Sequence, residues 1–201
     1  TLDFDLIYYN SDGSQSLCGN GSRAAVAMAA GLGLLKTKTT FNAYDGVHEA
    51  ELLPTGIVRL KMNPVTEVKQ TGPDYYINTG SPHHLKFVPD VEKVNVVDEG
   101  RKIRYSDAYK PAGTNVNFIQ LQHNNSIFVR TYERGVEDET YSCGTGVTAA
   151  ALAASFHGYK SPVHIKVKGG ELEVEFKTGQ AGTFEQIYLI GPAKMVFEGA
   201  L

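Results

Sequence analysis

The sequence predicts an α/β (α+β) fold of two pseudo-symmetric domains, each a curved sheet wrapped around a central helix. Three observations lead there. The order strand, polar turn, Cys-Gly-x-Gly, alanine-rich helix and short strands occurs twice in the 201 residues, as in a duplicated unit. Both helical stretches, 24–35 and 147–156, are apolar nearly all round, and a helix apolar on every face is buried on every face. Each is followed by β-rich stretches punctuated by glycine, proline and asparagine.

The elements follow in order. Leu2, Phe4, Leu6 and Tyr8 alternate with Asp3 and Asp5, so FDLIYY reads as a strand. The turn NSDGSQS leads to CGNG at 18–21 and the first helix; TTFNAYDGVHEAELL and GIVRLKM then supply strands. Pro64 interrupts strand-like sequence after Asn63, which places a domain break there. In the second copy IFVRTY leads through ERGVEDETYS to CGTG at 143–146; VHIKVK, GELEVEFK and QIYLIG follow the helix. Small alanine side chains let surrounding strands approach closely, although two ordinary core helices would carry the same alanines.

Composition narrows the function. Apolar residues make up 42% and charged residues 20%, as in an ordinary soluble globular protein. A net charge of -3 gives no basic footprint for nucleic acid, and no apolar run approaches the roughly 20 residues of a membrane span. The chain opens inside a strand, without Met and without the pattern of a signal or transit peptide, so it reads as a piece lacking upstream residues. Two cysteines without a disulfide-rich composition point to a reducing cytoplasm, and the lack of CxxC argues against zinc-ribbon or thioredoxin chemistry.

Those two cysteines, Cys18 and Cys143, occupy the same point of the duplicated turn. A helix start carries unpaired amides and the positive end of the helix dipole, which bind an anion and favour a thiolate. Two such starts facing across a cleft present two thiols to a carbon whose carboxylate both helices hold. One thiolate removes its proton and the opposing thiol protonates the other face, which is two-base racemisation or epimerisation. A buried cysteine that is simply a small hydrophobe is the plain alternative.

Several blocks together resemble the diaminopimelate epimerase family across essentially the whole chain: N-S-D-G at 10–13, C-G-N-G-x-R at 18–23, G-S-P-H at 80–83, T-N-V-N-F at 114–118, and E-R-G at 133–135 followed by C-G-T-G. The resemblance implies mostly antiparallel sheets, domains of 1–63 plus 194–201 and 64–193, and a last strand over 193–201 that returns to the first domain. It implies cofactor-independent, metal-free interconversion of LL- and meso-diaminopimelate in lysine and peptidoglycan-precursor synthesis, by a cytoplasmic homodimer. Cys18 and Cys143 become the acid and base, with backbone donors at Gly19, Asn20, Gly144 and Thr145. Glu133 takes a place at the reacting end, Arg134 clamps the distal carboxylate, and Asn10 and Asn115 complete that distal end. His83 lies near the thiols and supports their protonation states.

Each role has a plainer counterpart: Asn10 as a turn former, Glu133–Arg134 as a solvated ion pair, His83 as a satisfied core histidine. Asp12, Glu137, Asp138 and Glu139 read as solvated turn residues. Ser81 stands where the family has asparagine, which implies a weaker or water-mediated distal contact. The turn before Cys18 is one residue short and that before Cys143 one long. Phe197 replaces a tyrosine linked with dimer contact. The family's N-terminal G-N-D-F block does not occur here. The competing readings are a proline racemase-like enzyme, which shares the two-thiol logic, an inactive binding module, and a redox protein using the cysteines as a reversible disulfide.

Overall fold

A strand near the C-terminus ties the two halves of the chain into one sheet. The structure, a computed structural model, describes residues 2–10 and 13–199. The first half supplies β1 (Phe4–Asp5), α1 (Gly19–Gly31), β2 (Lys38–Ala43), β3 (Gly46–Leu52) and β4 (Ile57–Lys61). The second begins with β5 (Val68–Thr71), β6 (Asp74–Asn78), β7 (Pro82–Phe87), α2 (Val96–Arg104) and β8 (Asn115–Leu121). It continues with β9 (Ser126–Glu133), β10 (Asp138–Thr140), α3 (Gly144–Ala154), β11 (Val163–Val167), β12 (Gly170–Thr178) and β13 (Phe184–Pro192). The strand order is β1-β2-β3-β4-β13-β12-β11-β9-β8-β7-β6-β5, with β10 on β9.

As expected, most pairings are antiparallel; β1–β2, β7–β8 and β9–β11 are parallel. The period-2 pattern places alternate residues inward: Val58 and Leu60 of β4, and Val163, Ile165 and Val167 of β11, are buried. All eleven residues of α3 are buried, packed among β6–β9 and β11–β13. Its alanines and glycines leave room for strands on every side.

The first helix departs from that expectation. α1 packs on β3, β4 and β13, so the sheet covers one side and Ala24, Met28 and Gly31 are exposed, Met28 by 58%. The opening strand is also shorter than its pattern. Only Phe4 and Asp5 pair with β2, and after Leu6 donates to the Asn42 carbonyl the chain turns away toward the helix starts. No strand forms over 193–199; β13 is the strand that returns to the first half, through β4. Asn63 and Pro64 lie in the irregular link between β4 and β5.

α2 is an amphipathic helix with Asn95 as N-cap, acids Asp98 and Glu99 in its first turn and bases in its last. It covers a second core of Val91, Val96, Val116, Phe118, Phe128 and Tyr132. Among the described residues no helix is long and apolar enough to cross a membrane.

Candidate active site

The two thiols stand at equivalent points of two helix starts. Cys18 is the N-cap of α1 and Cys143 the N-cap of α3, both in extended backbone. A sulfur takes the place usually held by Ser or Asp; Cys18 Sγ accepts from the Gly21 amide at 3.3 Å. The next residues, Gly19 and Gly144, bring the helix starts together. A Cβ on Gly19 would lie 3.3 Å from Gly144 Cα, and one on Gly144 would lie 3.1 Å from Gly19 Cα, with Leu189 packed over both. The Asn20 side chain ties the seam by donating to the Ser142 carbonyl at 2.8 Å.

Both thiols line one cavity of about 380 Å³, within the range of small-molecule sites. The walls carry Glu133, Arg134, Asn10, Asn115 and Ser81. All the site residues read from the sequence therefore meet here except His83, which stands one layer behind. His83 is fully buried. Its Nε2 lies 2.9 Å from both Ser81 Oγ and Thr145 Oγ1, and Nδ1 lies 3.1 Å from the Asn117 amide. Thr145 Oγ1 in turn lies 3.5 Å from Cys143 Sγ. The histidine thus reaches the thiol through a hydroxyl. Burial, reinforced by the charge of Arg134, lowers its pKa to about 3, so the imidazole is neutral.

The thiols are not equivalent. Burial, then the neighbouring Glu133 carboxylate, pushes Cys143 up to about 12, so it rests as a protonated thiol. Cys18 is half-buried and takes a hydrogen bond from the Tyr8 hydroxyl, which with burial raises the phenol to about 12. Burial also raises the Glu133 carboxyl, against the hydrogen bond it accepts from Thr140 Oγ1 at 2.7 Å. Glu133 is therefore no solvated partner of Arg134.

Other polar groups are committed to scaffolding. The Asn115 amide donates to the Pro82 carbonyl at 2.9 Å and its oxygen accepts from the Arg134 amide at 2.9 Å. Asn10 donates to the Ser14 carbonyl and hydroxyl and to Ser16 Oγ, so it does build a turn while lining the cavity. Ser81, expected at the distal end, is bonded to Thr145 and His83 beside Cys143. Asp12 lies outside the described residues. Glu137 and Glu139 are not solvated turn residues. Glu137 accepts from Arg104, Tyr105, Tyr132 and the Gly135 amide; Glu139 is 11% exposed and forms a forked pair with Arg130.

Sequence reasoning passed over Tyr8 and Arg104, both in the cavity wall. Tyr8 had a signal, since it continues the inward alternation of Phe4 and Leu6. Arg104 closes the last turn of α2, and Gly113 makes space for its guanidinium. Among the described residues no cluster of three or more His, Cys, Asp and Glu side chains is placed to hold a metal ion.

A family model described as diaminopimelate epimerase matches residues 75–196. The diaminopimelate epimerase of Flavobacterium psychrophilum is 48% identical over 201 residues, covering 98% of this chain and 78% of the relative. The chain belongs to the diaminopimelate epimerase family. The family member from Aquifex aeolicus is 41% identical, over 99% of this chain and 75% of its own length, and that from Chlorobaculum tepidum 39%, over 100% and 81%. Solved structures show the same fold at low identity. A hydroxyproline epimerase from Agrobacterium vitis with bound trans-4-OH-L-proline superposes with TM-score 0.68 at 15% identity, covering 90% of this chain and 66% of that one. A Bacillus anthracis phenazine biosynthesis protein of the PhzF family gives 0.66 at 15%, over 88% and 73%.

Proposed function

We propose that this chain interconverts LL- and meso-2,6-diaminopimelate by cofactor-independent, two-thiol proton transfer, serving lysine and peptidoglycan-precursor synthesis in the cytoplasm. The observation that carries the reading is the placement of Cys18 and Cys143 at abutting helix starts in one cavity that also holds Arg134. The amides that begin α1 and α3, at Gly19, Asn20, Gly144 and Thr145, receive the carboxylate of the reacting centre. A thiolate takes the α-proton; the C–H electron pair delocalises into that carboxylate as an enediolate held by the same amides. The opposing thiol then protonates carbon from the other face. The thiol and thiolate have exchanged places, and the product is the epimer.

Glu133, whose carboxyl burial raises against the Thr140 hydrogen bond, resets the thiols, and His83 fixes Thr145 and thereby Cys143. Arg134, held by Asn115 through its own amide, offers its guanidinium to the far carboxylate, and Asn10 shapes that end. The units 1–63 plus 194–201 and 64–193 close over the substrate to exclude water, and the assembly is a homodimer.

The test is exchange of the α-proton in deuterium oxide. Diaminopimelate incorporates deuterium at one α-carbon, and Cys18→Ser or Cys143→Ser abolishes epimerisation. Exchange into proline and none into diaminopimelate overturns the reading in favour of a proline racemase-like enzyme. No exchange into either leaves a binding module, and activity that requires a Cys18–Cys143 disulfide contradicts thiol catalysis. Both cysteines are free in the structure.

A further inference from the structure

Asn117 stands behind His83, wholly buried in the middle of the sheet. Both ends of its side chain are engaged. Its Nδ2 lies 3.1 Å from His83 Nδ1 and 3.2 Å from the His84 carbonyl oxygen, and its Oδ1 accepts from Thr131 Oγ1 at 2.9 Å. Thr131, also buried, faces it across the β8–β9 ladder. A Cβ on Gly146 would run into Asn117 Oδ1 and lie 3.3 Å from His83 Cε1, so the last glycine of C-G-T-G makes room for this pair. Apolar side chains of the same shape fill such a core at little cost in stability. Stability alone therefore does not account for three buried polar residues in a row.

These contacts determine which ring nitrogen of His83 carries the proton. The His84 carbonyl can only accept, so the end of Asn117 that faces it is the NH2 group, and the same group meets His83 Nδ1. Nδ1 is therefore the acceptor. Burial keeps the imidazole neutral, so its one proton sits on Nε2, which donates into the hydroxyls of Ser81 and Thr145 at 2.9 Å. A histidine that donates leaves the Thr145 hydroxyl proton for Cys143 Sγ, 3.5 Å away. In the other tautomer Nε2 is an acceptor and draws a hydroxyl proton to itself. The first half is built differently: Asn20 stands at the place of Thr145, and the hydroxyl on Cys18 comes from Tyr8.

We propose that Asn117 is a positioning residue: by donating to Nδ1 it holds His83 in the Nε2–H form, which aims the Thr145 hydroxyl at Cys143. This rests on the reading of Cys143 as a catalytic acid and base. Asn117 does not line the cavity, so it acts on the reaction through His83.

The experiment reads the ring first. With nitrogen-15-labelled histidine, the His83 resonances, assigned by their loss in His83→Asn, show a proton on Nε2, a bare Nδ1 and a coupling from the Asn117 amide to that bare nitrogen. Asn117→Ala removes the donor, and Nδ1 gains proton occupancy. Kinetics then read the consequence. Asn117→Ala lowers kcat for diaminopimelate about tenfold, the worth of one hydrogen bond to a thiolate, and leaves KM unchanged. Thr145→Val removes the hydroxyl, and the double variant loses no more than Thr145→Val alone, because Asn117 acts through that hydroxyl. A protonated Nδ1 in the wild-type chain, a ring unaltered in Asn117→Ala, an unchanged kcat, or losses that add in the double variant overturn the proposal; a merely structural role lowers stability and gives additive losses. Should Asn117→Ala fail to fold, the wild-type ring decides: the Nε2 proton with the Asn117 coupling supports the proposal, and the lack of either overturns it. A ring that switches as stated without deuterium exchange into diaminopimelate leaves Asn117 as the residue that holds the tautomer and removes the functional reading instead.

Discussion

Gly19 and Gly144 meet backbone to backbone where α1 and α3 begin, with Leu189 lying across both. A methyl group at Gly144 would sit 3.1 Å from Gly19 Cα and 3.0 Å from the Leu189 side chain. The leucine can turn aside; the backbone cannot. Gly144→Ala is therefore expected to spread the helix starts, at about 1–3 kcal/mol in unfolding experiments. Turnover falls further, by about 100-fold, because displacing two reacting groups by a fraction of an ångström is costly. Gly31→Ala, at a position where nothing approaches within 4 Å, is the control and leaves turnover unchanged.

Tyr8 stays protonated at every working pH, since its hydroxyl is raised to about 12. It can only donate to Cys18. Tyr8→Phe removes that donor and little volume, so the thiolate loses one charge-assisted hydrogen bond of about 1.5 kcal/mol. The kcat in the direction that uses Cys18 as base drops about tenfold. Steady-state kcat from each stereoisomer checks this asymmetry. A loss of kcat equal in both directions contradicts it.

His83 makes stability depend on pH with a defined sign. Its folded pKa of about 3 lies below the ordinary value of 6.5, so between these values the unfolded chain binds a proton that the folded chain refuses. The stabilisation is complete above pH 6.5 and is lost as pH falls toward 3, at about 1.4 kcal/mol per unit. His83→Asn flattens that slope, which urea unfolding at pH steps across the window measures. A slope unaltered by the substitution refutes the assignment.

Glu137 gathers Arg104, Tyr105, Tyr132 and the Gly135 amide into the loop that presents Arg134. Partial burial works against its charge, yet the hydrogen bonds hold its carboxyl below the usual 4.5. This stabilisation is present above about that pH and fades as pH falls through the folded value. Glu137→Gln leaves the Arg104 side chain, 13% exposed, without its carboxylate, at about 2–4 kcal/mol in thermal or urea unfolding. The loop then loosens, and KM for diaminopimelate rises more than kcat falls.

The parts of this protein that follow local rules could be read from the chain. Alternating residues marked β2–β4, β9 and β11–β13, and the Cys-Gly-x-Gly turns marked both helix starts; Asn10, Ser81, Asn115, Glu133 and Arg134 were legible only through the family resemblance of their separate blocks. Burial of α3 on every face followed from its alanines. The same argument failed for α1, because a side chain's hydrophobicity does not reveal which strands arrive to cover it. α2 carried its own signals in Asn95, Asp98, Glu99 and Arg104, outside the duplicated pattern that organised the reading. Glu137 and Glu139 looked like turn residues because Arg104 lies 33 positions from Glu137 and Arg130 meets Glu139 only when β10 folds back on β9. The seat of His83, one hydroxyl away from Cys143, is a consequence of the β7–β8 register rather than of its own motif.

The pairing of β13 with both β12 and β4 has a temporal consequence. Residues 57–61 must wait for residues 188–192 before their ladder can form. During synthesis the first half is held with β4 as an open edge, a state prone to mispairing. Because the glycine seam and Leu189 belong to the same late event, no partial chain assembles the two thiols. The long loop closure also makes folding slow relative to a protein built from local contacts. The site is therefore acquired all at once, when β13 docks between β4 and β12.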